Sequence, residues 1–225
     1  MIIKSIKIPK EQIDKTYFFS DGHLNHDRPW ILNPRGFNTI QEHDKWITDQ
    51  LYTLPPDAIL INLGDFTLAS SVEYTRNVLA SIQAKHYYAA YGNHESFMSK
   101  IYRQEIANIY PHMDGNTAIY PFECNFGNGP LIFMGESSLY NIDGYDVYCR
   151  HMAPLIWDKM KYHTAICLCG HSHGNLEHAR VTATEPKILD VGVDNAKRYN
   201  GTCFFPWKDI KQIMGRKSVK SYDHH

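Results

Sequence analysis

Acidic, amide and imidazole side chains recur in five short clusters: Asp21-Gly22-His23, Gly64-Asp65-Phe66, Gly92-Asn93-His94-Glu95, His151 and Gly170-His171-Ser172-His173. Each falls just after a stretch that reads as a buried strand. Oxygen and nitrogen donors of this kind suit Mn, Fe, Zn, Ni or Co rather than Ca or Mg alone. The set is large enough for two divalent ions, and two adjacent metals can drive in-line displacement at phosphorus. In an extended segment, residues two apart point the same way, so Asp21 and His23 can reach one ion. His171 and His173 repeat that spacing, with Gly170 and Ser172 letting the loop turn tightly. A single D-x-H or H-x-H is weak, since each His has a plain alternative as a surface or hydrogen-bonded core imidazole. Five in order, each at a strand end, are hard to ascribe to coincidence.

The elements that must position them alternate through the first half. Thr16 to Ser20, Ala58 to Leu63 and His86 to Tyr91 are apolar, β-prone runs ending at Asp21, Gly64-Asp65 and Gly92-Asn93. Between them, Thr39 and Glu42 have capping-box spacing ahead of Trp46, Ile47, Leu51 and Leu54, and Pro55-Pro56 stops that helix. Ser70 and Glu73 repeat the box ahead of Val72, Leu79 and Ile82, and Ser96 to Ile109 reads as a third helix. Near-continuous apolar strands alternating with helices predict a sheet covered on both faces, with ligands at the strands' carboxyl ends. The second half is richer in strands, at about Thr117–Pro121, Leu131–Met134, Tyr145–Arg150, Thr164–Cys169, Lys187–Val193 and Thr202–Phe205. Gly127-Asn128-Gly129 reads as a hairpin turn, and Asp209 to Met214 as a short closing helix.

At 225 residues, 43% hydrophobic and 13% aromatic, the chain has ample material for one domain (1–225, core about 16–207), and disorder is excluded for most of it. A formal charge of −1 gives no bulk bias toward nucleic acid or membrane. No run approaches transmembrane length, and no cleavable leader is visible at Met1-Ile2-Ile3-Lys4. Five cysteines, none in a C-x2-C pair, point to reduced thiols in a cytoplasmic protein. Cys167 and Cys169 alternate on one strand and read as small core residues. His224 and His225 resemble the remnant of a purification tag and carry no argument.

The ordered motifs D-x-H, G-D, G-N-H-[DE], a lone His and G-H-x-H resemble the calcineurin-like metallophosphoesterases, over roughly Thr16 to Asp194. The resemblance implies an α/β four-layer sandwich of two mixed β-sheets flanked by helices. It implies that Asp21, His23 and His173 hold one metal, that Asn93, His151 and His171 hold the other, and that Asp65 bridges both. His94 becomes a non-ligand acid beside the site, and Mn the first choice of metal. Physical chemistry is consistent with these roles. A bridging carboxylate suits two cations ~3.5–4 Å apart, and a metal-activated hydroxide can attack phosphorus while the ions neutralise phosphoryl charge. A neutral Asn oxygen adds coordination without further negative charge. His94 can protonate the departing alkoxide.

Other residues stay open between two readings. Glu95 orients His94 or supports a ligand. His26, in a segment similar to small bacterial and phage-type members, contacts phosphate or caps the following turn. Arg28 and Arg35 suit phosphate geometry but read more simply as surface residues. Asp190 and Asp194 read as structural or as supports for the ligands. Two departures from the family pattern matter. His151 is followed by Met-Ala-Pro, one residue longer than in many relatives, on the side of the second metal. Phe66-Thr67-Leu68 replaces the Asp-Arg-Gly of the Ser/Thr protein phosphatases, which argues against that branch.

The substrate expected is a phosphomonoester or phosphodiester, with a nucleotide among the candidates. A nuclease is the alternative, resting on the basic stretch Lys208, Lys211, Arg216, Lys217 and Lys220. Strongly salt-dependent affinity for DNA or RNA would favour it. A scaffold that binds partners without turnover is the reading from another class, disfavoured because every ligand and His94 are present.

Overall fold

Phe18 and Phe19 are neighbours in sequence and both fully buried, yet they face different cores, and this pair displays the layering. The computed structural model describes residues 5–68, 71–110, 119–126, 129–179 and 186–219. In chain order the elements begin with β1 (Ile6–Lys7), a 3-10 turn (Lys10–Lys15), β2 (Thr16–Phe19), α1 (Pro29–Arg35), α2 (Ile40–Tyr52) and β3 (Ala58–Asn62). Next come α3 (Val72–Ser81), β4 (Ala84–Ala90), α4 (Ser96–Ile109), β5 (Phe122–Phe126), β6 (Gly129–Gly135), β7 (Ser137–Ile142) and β8 (Tyr145–Arg150). The chain continues through β9 (Ala165–Cys169), α5 (Asn175–Ala179), β10 (Ile188–Asp190), α6 (Val193–Asn200), β11 (Phe205–Pro206) and α7 (Trp207–Met214).

Two mixed sheets result, ordered β11-β2-β3-β4-β6-β5 and β1-β7-β8-β9-β10. Phe18, Ile59, Ile61, Tyr88 and Ile132 of the first sheet pack between the sheets with Tyr140, Val147, Ile166, Leu168 and Leu189 of the second. Their sequence neighbours Phe19, Leu60, Ala89 and Phe133 face the other way, against Ile47, Leu51, Leu79, Ile101 and Ile106 of α2, α3 and α4. Both faces are therefore apolar, which explains why the parallel strands read as continuous hydrophobic runs. Phe19→Ala would cost about 3–5 kcal/mol through lost transfer energy and the cavity left behind. Cys167, Cys169 and Ile188 cover the outer face of the second sheet with Trp157 and Met160, as their alternation predicted.

Several expectations need correction. Thr39 does cap α2, its hydroxyl accepting from the Glu42 N–H at 3.2 Å, but the Glu42 carboxylate returns to the Asn38 N–H at 3.1 Å. The cap of α3 is Ser71, which accepts from Tyr74 at 3.1 Å; Ser70 lies outside the described residues. Residues 119–121 carry no strand, and β5 opens only after Pro121, which has no N–H to give a ladder. Residues 117–118, and residues 127–128 of the expected turn, lie outside the described residues, although Phe126 and Gly129 pair antiparallel across that turn. Val193 opens α6 instead of ending a strand. The helix α1 was missed because it is seven residues long and carries Pro34 inside. The strand β7 was missed because its buried face combines Ser138, Tyr140 and Ile142, a diluted apolar alternation.

Candidate metal centre

Parallel pairing aligns strand ends. β2, β3 and β4 run parallel, so the segments after them bring Asp21, Asp65 and Asn93 to one edge. β8, β9 and β10 also run parallel and bring His151, His171 and His173 to the facing edge. Hydrogen bonds join the loops across the gap. The Asp21 N–H donates to the Gly64 carbonyl and the His23 N–H to the Asp65 carbonyl, both at 3.0 Å. The His171 N–H reaches both Asp21 carboxylate oxygens at 3.0 Å.

The backbone there is not extended. Asp21, His23, Asp65, His171 and His173 adopt positive φ of 57°, 48°, 53°, 66° and 50°. The same-side geometry expected for extended D-x-H and H-x-H segments is therefore corrected: left-handed loop residues, not strand alternation, turn these side chains together. Such conformations cost about 1–3 kcal/mol each and cluster at functional sites. Asp, Asn and His tolerate them better than branched residues do. At Gly64 the φ is +115°, and a Cβ there would stand 2.7 Å from the Gly92 Cα. A Cβ on Gly92 would in turn stand 2.7 Å from the Asp65 Cγ. Only glycine permits this contact between the loops that carry Asp65 and Asn93.

The side chains form two donor groups. Asp21, His23 and His173 each offer a ligand atom, and these atoms lie within 4.8 Å of one another; Asp65, His151 and His171 do the same. Asp65 Oδ2 stands between the groups, 3.8 Å from His23 Nε2 and 3.3 Å from His151 Nε2. Asn93 Oδ1 approaches His151 Nε2 to 3.1 Å, and His151 Nδ1 meets the Leu63 carbonyl at 3.1 Å. The extra residue after His151 thus leaves its ring inside the second group. His23 Nε2 is buried with no hydrogen-bond partner among the described residues, while the Asp21 carboxylate lies 3.9 Å away. A buried polar atom without a partner demands an explanation, and a cation between these donors supplies one.

Protonation fits the same role. Burial, with Arg35 nearby, pushes His23 down to about 2, so its imidazole is neutral as a ligand must be. Burial opposes ionisation of Asp65, yet the hydrogen bond and charge of His151 hold its carboxyl down at about 2. Asp21 moves the other way, to about 6, through burial and the adjacent charge of Asp190.

Around these groups lies a shell that sequence reasoning placed only in part. Arg35, expected at the surface, is buried at the end of α1. Its guanidinium donates to both Asp194 oxygens at 3.1 and 2.7 Å, to the Asp21 carbonyl at 2.7 Å and to the Gly22 carbonyl at 3.1 Å. A buried guanidinium is tolerable only when its donors are used in this way. Arg35 also meets His43 Nε2 at 2.8 Å. With that nitrogen accepting, the His43 Nδ1–H donates to Asp44 at 2.8 Å. The available signal was the position of His43 on the buried stripe Ile40, His43, Ile47, Leu51. Asp194 accepts from His173 Nδ1 at 2.8 Å, which leaves Nε2 as the lone-pair donor. Asp190 accepts from the Ser172 hydroxyl and, at 2.8 Å, from the Gly174 N–H.

Glu95 is buried and accepts from the Phe66 N–H at 2.8 Å, with burial raising its carboxyl to about 8. Its bond supports the Asp65 loop. The His94 N–H donates to Asp65 Oδ1 at 2.8 Å, and the exposed His94 ring lies 5.8 Å from the His23 ring. His26 Nδ1 is 3.3 Å from His23 Nδ1. The His26 carbonyl accepts from the Arg28 N–H at 2.8 Å in the turn ahead of α1. Arg28 is exposed and lies over the Trp30 ring at 5.8 Å.

A sequence profile described as calcineurin-like phosphoesterase matches residues 15–191. The crystal structure of a protein of unknown function from Aquifex aeolicus superposes with a TM-score of 0.56 at 16% identity, covering 88% of this chain and 98% of that one. At that identity the similarity is one of fold. No curated protein matches.

Proposed function

The chain belongs to the calcineurin-like phosphoesterase family, and on that premise we propose that it hydrolyses phosphomonoesters or phosphodiesters at a centre for two divalent metals. In this reading Asp21, His23 and His173 would hold one ion, Asn93, His151 and His171 would hold the other, and Asp65 would serve both. The observation that carries it is the buried, partnerless His23 Nε2 facing the Asp21 and Asp65 carboxylates. Divalent ions, Mn foremost, supply Lewis-acid neutralisation of phosphoryl charge and a nucleophilic water at neutral pH. The protein's own contribution begins with Asp65, whose two oxygens are anchored differently, one by the His94 N–H and one beside His151. The same bond sets the His94 ring at the open rim, where it can deliver a proton to the departing oxygen. His26, at the same rim, is suited to donate to a phosphoryl oxygen.

Residues 16–207 act as one domain in this reading, since both sheets contribute ligands. Lys211 pairs with Asp143 at 2.7 Å and Lys217 with Glu177 at 2.9 Å, so these two cations of the basic stretch are already engaged; Lys220 lies outside the described residues. That supports small phosphoesters over nucleic acid. Burial of all five cysteines as thiols supports a reducing, cytoplasmic setting. Among the described residues no helix is long and apolar enough to cross a membrane.

Aryl phosphate mono- and diesters, assayed with Mn, Fe, Zn, Ni or Co after chelation, provide the test. Turnover restored by one or more of these metals is expected. Two bound ions per chain with no hydrolysis of any ester would overturn the reading. His94→Ala should keep both ions yet slow esters of poor leaving groups by about 10²–10⁴-fold, and good ones far less.

A further inference from the structure

Trp30 leaves 67% of its surface exposed, on a helix whose other end is anchored by buried Arg35. It follows Pro29 at the start of α1, so its backbone is pre-set and not on a free loop. Its ring meets the His26 ring edge-on at 6.5 Å, and His26 in turn touches His23 at the first donor group. An open cavity of about 770 Å³ runs from Trp30 and Asn33 to His173, Asn175 and Arg198. Its inner end is therefore a donor to the first ion, and its outer end is an aromatic face. The Arg198 guanidinium is fixed there, donating to the His173 carbonyl at 2.9 Å and the Asp194 carbonyl at 3.2 Å. The cavity on the other side, beside Asn93 and His151, measures about 290 Å³ and has no tryptophan in its wall.

We propose that the larger cavity receives the leaving group of the phosphoester, and that this group is a nucleoside whose base stacks on Trp30. The proposal rests on the phosphoesterase reading above and names its substrate class. A planar base matches an indole face and stacks without needing one particular sequence of donors. The exposed amides of Asn33 and Asn175 offer both donors and acceptors to a base edge. Arg28, over the Trp30 ring, and Arg198 place positive charge where a diester's second substituent or a further phosphate would lie. Hydrolysis forms one P–O bond from water and breaks the P–O bond to the sugar, which leaves as its alcohol carrying the proton from His94.

The test uses substrates differing only in the base. Adenosine 5′-phosphate is compared with ribose 5-phosphate, each as the monoester and as the methyl diester, on the Mn-loaded chain. The wild type should favour the adenosine member by about 10–100-fold in kcat/KM. Trp30→Ala should collapse that ratio toward one, and Trp30→Phe should restore most of it. A wild-type ratio near one, or a ratio unmoved in Trp30→Ala, overturns the subsite. Should none of the four esters turn over while aryl phosphates do, the subsite is overturned; should the aryl phosphates fail as well, the phosphoesterase reading fails instead. Equilibrium dialysis of adenosine 5′-phosphate against the chelated chain then decides the subsite by itself. Saturable binding lost in Trp30→Ala upholds it, and no saturable binding overturns it.

Discussion

Asp21, His23 and His173 are backed by buried charge, whereas His151, His171 and Asn93 rest on backbone and on one another. On the first side a single guanidinium, Arg35, binds the carbonyls of Asp21 and Gly22 and the carboxylate that holds His173. On the second side His151 is oriented by the Leu63 carbonyl, while His171 and Asn93 are exposed at the rim. The difference teaches how the two donor groups of the proposed dinuclear centre are built unequally. Ligands locked by partners need little ordering when an ion arrives, and loss of such partners typically costs about 10–100-fold in affinity. The first group is a preformed pocket. The second is open, with Asn93 and His171 exposed.

The largest effect should come from removing what the halves have in common. Asp65→Asn deletes the charge between them, so both ions should be lost by metal analysis and turnover should fall by about 10³-fold. Both ions at full occupancy would show that Asp65 bridges nothing. Next come two substitutions expected to separate the halves. Asn93→Ala should weaken only the second ion, and Arg35→Lys only the first, each by about 10–100-fold in a Mn titration. Lys keeps the charge but not the fork that reaches Asp194, His43 and the carbonyls of Asp21 and Gly22 at once. Equal weakening of both ions by Arg35→Lys, together with a lower melting temperature, would reduce Arg35 to general support.

The smallest effect concerns protons. Asp21 titrates near 6 in the ion-free protein through burial and Asp190, and His173 is raised, because burial, the largest single influence, is overcome by the bond to Asp194 together with the charges of Asp21 and Asp194. An ion entering the first group below pH 6 therefore displaces protons from both. In the second group Asp65 is ionised down to about 2, and His151 is raised, burial being overcome by the bond to Asp65 together with the charges of Asp21, Asp65 and Glu95, so one proton competes. Affinity for the first ion should fall more steeply as pH drops below about 6, read as proton release during Mn titration. Parallel slopes would erase the contrast.

Much of the arrangement was legible before folding. Strands β2, β3 and β4 announced themselves through apolar runs, and the helix from Ser96 to Ile109 was read with the bounds it has, because local burial leaves a local pattern. Arg35 could not be read that way, since nothing near it in sequence says that Asp194 will meet it 159 positions later. The same holds for His43, whose place on an apolar stripe signals burial but not its partner. The left-handed residues Asp21, His23, His171 and His173 were also hidden, because loop conformation is imposed by contacts between loops.

The sequence by itself determined the kinds of donor atoms, their order and the strand ends that carry them. Periodicity and residue chemistry are short-range properties, so a linear reading captures them. Only the tertiary structure decided that His171 and Asp21, 150 positions apart, share hydrogen bonds, and that Arg35 lies beneath one donor group and not the other. Those outcomes depend on how two sheets dock, and docking is governed by the summed burial of both cores, not by any one segment.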